Sequence, residues 1–425
     1  MGNIRYKGMN YTRRDNNPPP DPNTGVTFID YDGTVIKQYT KEKFLSLNEL
    51  PANPTHQGLV AQGWNWDLAD AKEYVEKYGL LIIGQTYTTD DGKSRFVIRL
   101  EEGRLSPRMG FGLNGTAIID WGDGSETTTL TGTNVSTVYY TQNHTYPSAG
   151  EYTISVEVSG NARIMGGNNC SLLLTNNSNE IYNYVYANSL IHCVLSSYFI
   201  ISANAFVSCC SLSNIVLSQA ITTIPSNAFR YCYSLQSVII PKNVTSVDEY
   251  SFSDCGLISI SMSSSITSIK HHAFQYCNLL TNISIPDTSN GIGGSAFYNN
   301  RKLHSIILPA NTVTNSMSFY GCYALSSVII TNGVSSIGSM CFFDCRSLVN
   351  IYIPKSVVDI YSSAFANCSG LGLVKFESQT PPTIGSNVFS NIPTDCKILV
   401  PQGTIEAYKA TPNMPNPSIY TYEEY

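Results

Sequence analysis

The fold turns on residues 224–246, "IPSNAFRYCYSLQSVIIPKNVTS". Its apolar residues Phe229, Cys232, Leu235, Val238 and Ile240 return as Phe252, Cys255, Leu257, Ile260 and Met262, and again as Phe274, Cys277, Leu280, Ile283 and Ile285. The phenylalanines continue at 206, 229, 252, 274, 297, 319, 342, 365 and 389, in steps of 23, 23, 22, 23, 22, 23, 23 and 24. So steady a period marks a solenoid, in which each coil buries its apolar set against the coils on either side. Within a unit, Leu-x-x-[Ile/Val]-x-[Ile/Leu]-Pro ends in period-two alternation, which predicts a short strand with the aliphatics inward, stopped by Pro241, Pro286, Pro309 and Pro354. A second extended piece follows ("VTSV", "ITSI", "VSSI"), and the turn carrying Phe-x-x-Cys closes the coil. Strands stacked roughly 4.8 Å apart would make the eight steps a rod of about 38 Å.

These units, such as "SAFYNNRKLHSIILP" (295–309) and "SAFANCSGLGLVKF" (363–376), closely resemble the BspA-like leucine-rich repeats of bacterial surface proteins, over about residues 186–410. The segment 381–411 resembles that family's C-terminal cap, which implies a strand at "KILVP" and a short helix from Thr404. Asn300 stands where the other units carry cysteine, and the loop before the sixth unit is one residue short. Of twelve cysteines, Cys209, Cys232, Cys255, Cys277, Cys322, Cys345 and Cys368 share one repeat position. They should form an internal ladder of buried thiols rather than disulfides or a metal site, because no Cys-x-x-Cys pair is backed by a second pair or by histidines at ligand spacing.

Ahead of the repeats, "TAIIDWGDGSE" runs a strand into an acidic glycine turn, and "NHTYPSAGEYTISVEV" feeds a Tyr-Gly-Tyr corner into an alternating strand. Trp121, Gly122, Asp123 and Gly124, followed by His144, Tyr146, Gly150, Tyr152, Ile154 and Val156, resemble the signature of PKD-type immunoglobulin-like β-sandwiches, which implies a spacer or adhesive module. Asp120, Asp123 and Glu126 could gather a cation, but turn capping is the favoured role. Further upstream, "NWDLADAKEYVEKYG" predicts a helix with Asp67 as N-cap, Leu68, Ala71, Val75 and Tyr78 on its apolar stripe and Gly79 as C-cap. Strand, Asp-Gly, strand is expected on both sides of it, at Asp32-Gly33 and at Asp91-Gly92.

The sequence around Asp30 and Asp32 also reads as the nucleophile loop of haloacid-dehalogenase-type phosphatases. Too few residues, with one good helix, precede the sandwich for such an α/β core, so the hairpin reading is preferred. No other catalytic pattern emerges, and Trp64 and Trp66 are expected to pack beside the helix rather than stack on a sugar. No cofactor is expected. Charged residues are 13% of the chain and the net charge is -6, which argues against a nucleic-acid partner. No apolar run is long enough to cross a bilayer, and residues 1–20 lack the apolar core of a secretory signal.

The expected class is therefore mainly β, in six parts: an N-terminal arm and Pro-rich linker (1–25), a small α+β unit (26–92), an immunoglobulin-like sandwich (93–160), a linker or cap (161–185), about nine repeats of 22–24 residues (186–396), and a C-terminal cap and tail (397–425). Solenoids bind through extended faces. On the strands the outward column is Val216, Ile239, Ser261, Ser284, Ile307, Ile329, Tyr352 and Lys375; the turns add Tyr231, Tyr233, Tyr276, Tyr298, Arg301, Tyr320, Tyr323 and Arg346. Tyrosine and arginine supply binding energy at low entropic cost. The alternative is that part of this surface packs on a flank or a second subunit, as in a homo-oligomer. The N-terminal unit is similar to proteins encoded by phages and prophages of gut bacteria. That resemblance implies a virion adhesion protein, of a tail or head fibre or the baseplate, that binds a host cell-surface protein or glycan and attaches to other virion proteins through residues 1–25. A bacterial surface or intracellular scaffold protein is the alternative.

Overall fold

The computed structural model describes residues 25–136, 140–164, 173–174, 189–287, 291–310 and 312–425. The expected arm and most of the expected linker lie outside them. The chain is mainly β, with a solenoid of about ten turns in its C-terminal part.

The coils owe their shape to the turn around each phenylalanine. The residues two before and two after it have positive φ, as at Asn227 (56°) and Tyr231 (65°), Met317 (59°) and Gly321 (69°), or Met340 (53°) and Asp344 (62°). This left-handed kink on either side turns alternate N–H groups along the stack. Asn227, Phe229 and Tyr231 donate to the carbonyls of Glu249, Ser251 and Ser253 in the next coil, at 2.9, 2.8 and 3.0 Å. The rings then stack in register, adjacent centroids lying 5.2 to 5.7 Å apart. The cysteine ladder has a hydrogen-bonding reason as well as a steric one. From Cys232 onward each ladder thiol donates to the phenylalanine carbonyl of an earlier coil, for example Cys255 Sγ to Phe229 O (2.9 Å) and Cys277 Sγ to Phe252 O (3.0 Å). Ten of the eleven described cysteines are buried, and all are free. The C-terminal end is closed by the strand Lys397–Val400, the helix Ile405–Ala410 and the strand Thr421–Glu424.

The antiparallel region before the repeats comprises β5 (Ser94–Leu100), β6 (Arg108–Asp120), β7 (Thr128–Asn134), β8 (Tyr140–Asn143) and β9 (Gly150–Ile164). It does not stand apart from the solenoid. β5 pairs with Leu190–Val194, which pairs in turn with Asn214–Val216 of the first repeats, while Phe199–Ile201 adds to β9. One apolar core runs from Phe96 to Tyr422. At the acidic turn, Asp120 accepts from Gly122 N (3.0 Å), and Asp123 accepts from Ser125 N (3.1 Å) and lies 2.7 Å from His144 Nε2. His144 stacks flat on Trp121 at 4.6 Å, and the Tyr146 hydroxyl donates to Trp121 O. Both aspartates therefore act as turn caps.

The first unit is a four-stranded sheet, ordered β2 (Val35–Tyr39), β1 (Val26–Ile29), β4 (Leu81–Thr89), β3 (Leu59–Trp64), with helices α1 (Lys41–Leu45) and α2 (Leu68–Tyr78). The turn at Asp32-Gly33 joins the antiparallel pair β1 and β2, with Gly33 at φ 87° and Asp30 N donating to Thr34 O at 2.8 Å. The turn at Asp91-Gly92 does not make a second hairpin. β4 belongs to the first sheet and β5 to the next, so the same turn chemistry here hands the chain from one sheet to another.

Candidate binding surface

The outward strand column is divided by its exposure. Val216, Ile239 and Ser261 are buried, Ser284 is partly covered, and Ile307 is 9% exposed, whereas Ile329 and Tyr352 are 50% and 48% exposed. The cover is the N-terminal unit, whose strand β4 crosses the coils. Ile29 and Ile82 pack on Ile239, and Gly84 comes so close that an added Cβ would sit 2.6 Å from its Cγ2. Ile239 does point away from the coil interior, as the alternation requires, but its expected solvent exposure is overturned by this docking. Tyr87 covers Val194 and Val216 in the same way.

Polar side chains fasten the two bodies. Asn65 Nδ2 donates to Ile240 O (3.1 Å) and Ser261 Oγ (2.9 Å), Trp66 Nε1 to Met262 O (2.7 Å) and the Tyr74 hydroxyl to Ile285 O (2.8 Å). These carbonyls follow the outward position in three consecutive coils, so the unit reads the repeat spacing directly. Asp67 caps α2 without a side-chain hydrogen bond and instead meets Lys242 Nζ at 2.5 Å. Tyr78 and Lys77 both reach Asp287. Trp64 and Trp66 are buried, Trp64 in the core with α2 and Trp66 at the junction. Asp30, suspected as a nucleophile, is 5% exposed; it accepts from Tyr31 N (2.8 Å) and lies 2.6 Å from His56 Nε2, which ties the loop before β3 to the hairpin.

On the turns, the predicted residues gather in two groups. Tyr276, Tyr298 and Tyr320 form a ladder with Phe343, the last two steps stacked at 4.9 and 4.8 Å. Tyr323 lies under two guanidinium groups, Arg346 at 4.8 Å and Arg301 at 5.5 Å, and Arg346 is itself held by Asp344 at 2.7 Å. Tyr231 and Tyr233 lie apart from both, with Tyr233 46% exposed. Sequence reasoning missed Arg230, held 4.7 Å from both Tyr231 and Tyr250, and Phe343. Their common signal is position: Arg230, Tyr298, Tyr320 and Phe343 each directly follow the repeat phenylalanine.

The stacked phenylalanines, the thiol ladder and the strand-proline coils are matched by the BspA-type leucine-rich repeat model, in six copies over residues 199–317 and 311–409. The repeat region belongs to the BspA-type leucine-rich repeat family. Among solved structures, the BspA-type chain is similar to a leucine-rich repeat protein from Bacteroides ovatus, at 23% identity over 55% of this chain and 66% of that one, with a TM-score of 0.42. It is similar also to the T. pallidum leucine-rich repeat protein (24% identity, 43% and 78% covered, TM-score 0.31). A leucine rich cell surface protein from Faecalibacterium prausnitzii matches at 19% identity, with 63% and 84% covered and a TM-score of 0.31. No curated protein matches. Among the described residues of this BspA-type protein, no group of three or more His, Cys, Asp or Glu could hold a metal ion, and no helix is long and apolar enough to cross a membrane.

Proposed function

We propose that this protein is a non-enzymatic adhesion protein that binds a protein or glycan through the open half of its repeat surface. The observation that carries this reading is the uncovered strand face at Ile329 and Tyr352, on a scaffold whose earlier coils bury the same column under a folded unit. Apolar surface of this kind, flanked by arginine and tyrosine, is the composition of binding hot spots. The rings of Tyr298 and Tyr320 spend their faces on each other and on Phe343, and so present edges and hydroxyls rather than flat platforms. That favours a protein partner over a stacked sugar.

The finer reading is display on a phage virion, supported by the likeness of the N-terminal unit to phage- and prophage-encoded proteins. Family membership supports display on a bacterial cell surface as the second reading. Changing Ile329 and Tyr352 together to Ser tests the site: attachment to the target cell should be lost while the melting temperature holds. Retained attachment would move the site to the turns around Tyr323. Gold-labelled antibody against the repeats, applied to purified virions and to intact bacteria, separates the two locations.

A further inference from the structure

The turns of the fifth, sixth and seventh units carry a ladder of their own. Arg301, Tyr323 and Arg346 each stand four residues after the repeat phenylalanine, at Phe297, Phe319 and Phe342. The backbone holds them in line: Ala324 N donates to Arg301 O at 3.3 Å, and Ser347 N to Tyr323 O at 3.2 Å. Tyr323 therefore lies between two cations, the Arg301 guanidinium 5.5 Å and the Arg346 guanidinium 4.8 Å from its ring. Two coil steps separate these cations by about 10 Å. Asp344 accepts from Nε and Nη2 of Arg346 at 2.7 and 3.0 Å, which occupies one edge of the guanidinium and leaves the other in water; the Arg346 side chain is 59% exposed. Arg301 is exposed, and no ion pair among the described residues neutralises it. The sequence is charged in the same sense. Between Asp287 and Asp359 it carries four cations, Arg301, Lys302, Arg346 and Lys355, against the one carboxylate of Asp344, a local charge of +3 in a chain of net charge -6.

We propose that this ridge is a second binding site, for an acidic polysaccharide whose carboxylate or sulfate groups recur at the spacing of the two arginines. A guanidinium presents a planar fork of N–H donors that matches either anion bidentately. Stacking on Tyr323 fixes the fork before the ligand arrives, which lowers the ordering cost of binding. A chain with one anionic group on every second sugar meets Arg301 and Arg346 in turn, and Lys302 adds to the field. An acidic peptide fits less well. In an extended strand, side chains on one face recur about every 6.7 Å and fall out of step with cations about 10 Å apart. In a helix, residues seven apart come into step at about 10.5 Å, but an amphipathic helix needs an apolar groove. The strip beside the ladder, at His304, Ser326 and Val349, is exposed and has one apolar residue of three. Tyr323 spends its ring faces on the guanidinium groups, so recognition here is by charge and not by sugar stacking. The site is separate from the strand face at Ile329 and Tyr352 and does not rest on the adhesive role proposed for that face.

Fluorescence polarisation of the full chain with end-labelled hyaluronate, which carries carboxylates, and chondroitin sulfate, which adds sulfates, reads the site and tells the two anions apart. At low ionic strength one or both should bind, uncharged dextran should not, and affinity should fall as salt is added. Arg301→Ala/Arg346→Ala should weaken binding about tenfold. Arg301→Lys/Arg346→Lys, which keeps the charge and removes the fork, should weaken it about threefold, and Asp344→Asn, which frees Arg346, should tighten it about threefold. The arginine variants change exposed side chains and should keep the wild-type melting temperature. Ile329→Ser/Tyr352→Ser should bind the glycans as wild type does, which separates a failure of this site from a failure of the strand face. Unchanged binding in Arg301→Ala/Arg346→Ala would overturn the proposal, as would no binding of either glycan. Poly-glutamate bound as tightly as the glycans at equal charge would overturn it too, by assigning the ridge to an acidic peptide.

Discussion

Asn300 shows how much a single repeat position demands. It is fully buried, and neither its amide nitrogen nor its amide oxygen has a hydrogen-bond partner, whereas the cysteines at the equivalent position donate to a phenylalanine carbonyl. Asn300→Cys should therefore stabilise the protein by about 1–3 kcal/mol, read as a higher urea midpoint at unchanged m. Met340 holds a left-handed conformation that Asn227 and Asn387 take in other coils. Asparagine tolerates this region better than an unbranched apolar side chain, so Met340→Asn should add about 0.5–1 kcal/mol in the same assay. Burial pushes the thiols of Cys341 and Cys368 up to about 12. In native protein, maleimide labelling of these two should stay negligible from pH 7 to 9, where an exposed thiol accelerates, and should become complete on unfolding.

At the scale of elements, the deciding contact is β4 on the strand column. Adding a methyl group at Gly84 would drive it into Ile239. Gly84→Ala should cost about 1–3 kcal/mol, and Ile239→Val should recover part of that loss in a double-mutant cycle. Ile239→Ser alone should destabilise by about 2–4 kcal/mol, while Ile329→Ser, in the same column two coils past the docked unit's edge, should stay within about 0.5 kcal/mol. Two residues alike in the repeat pattern would thus behave as core and surface. The alternation of "LQSVIIP" told which way Ile239 points, but periodicity says nothing about what lies beyond the coil. Asp32-Gly33 and Asp91-Gly92 carry the same limit: both are turns with positive-φ glycines, yet one closes a hairpin and the other changes sheets.

The whole molecule has two main cores, that of the N-terminal unit and the long one from Phe96 to Tyr422. They are joined through small apolar clusters and the hydrogen bonds of Asn65, Trp66 and Tyr74. Removing two of these anchors in Asn65→Ala/Trp66→Phe strands solenoid carbonyls and should uncouple the bodies. In a Trp121→Phe background, which leaves tryptophan only in the N-terminal unit, urea unfolding of this variant followed by fluorescence should then precede the loss of β-signal in circular dichroism, where the same background with Asn65 and Trp66 intact shows the two together. The solenoid, its inward residues, its thiol ladder and its C-terminal cap were legible in the sequence because each follows from local alternation repeated at a fixed period. The helix at Leu68–Tyr78 and the hairpin at Asp32-Gly33 were legible because capping and turn chemistry are local. Tertiary structure alone decided that the antiparallel strands share the solenoid's sheet, that Trp66 and Asn65 bind solenoid carbonyls, and that half of the outward column is interior. Those outcomes depend on contacts between residues about one hundred to two hundred positions apart, and no local pattern records which of two compatible surfaces meets the other.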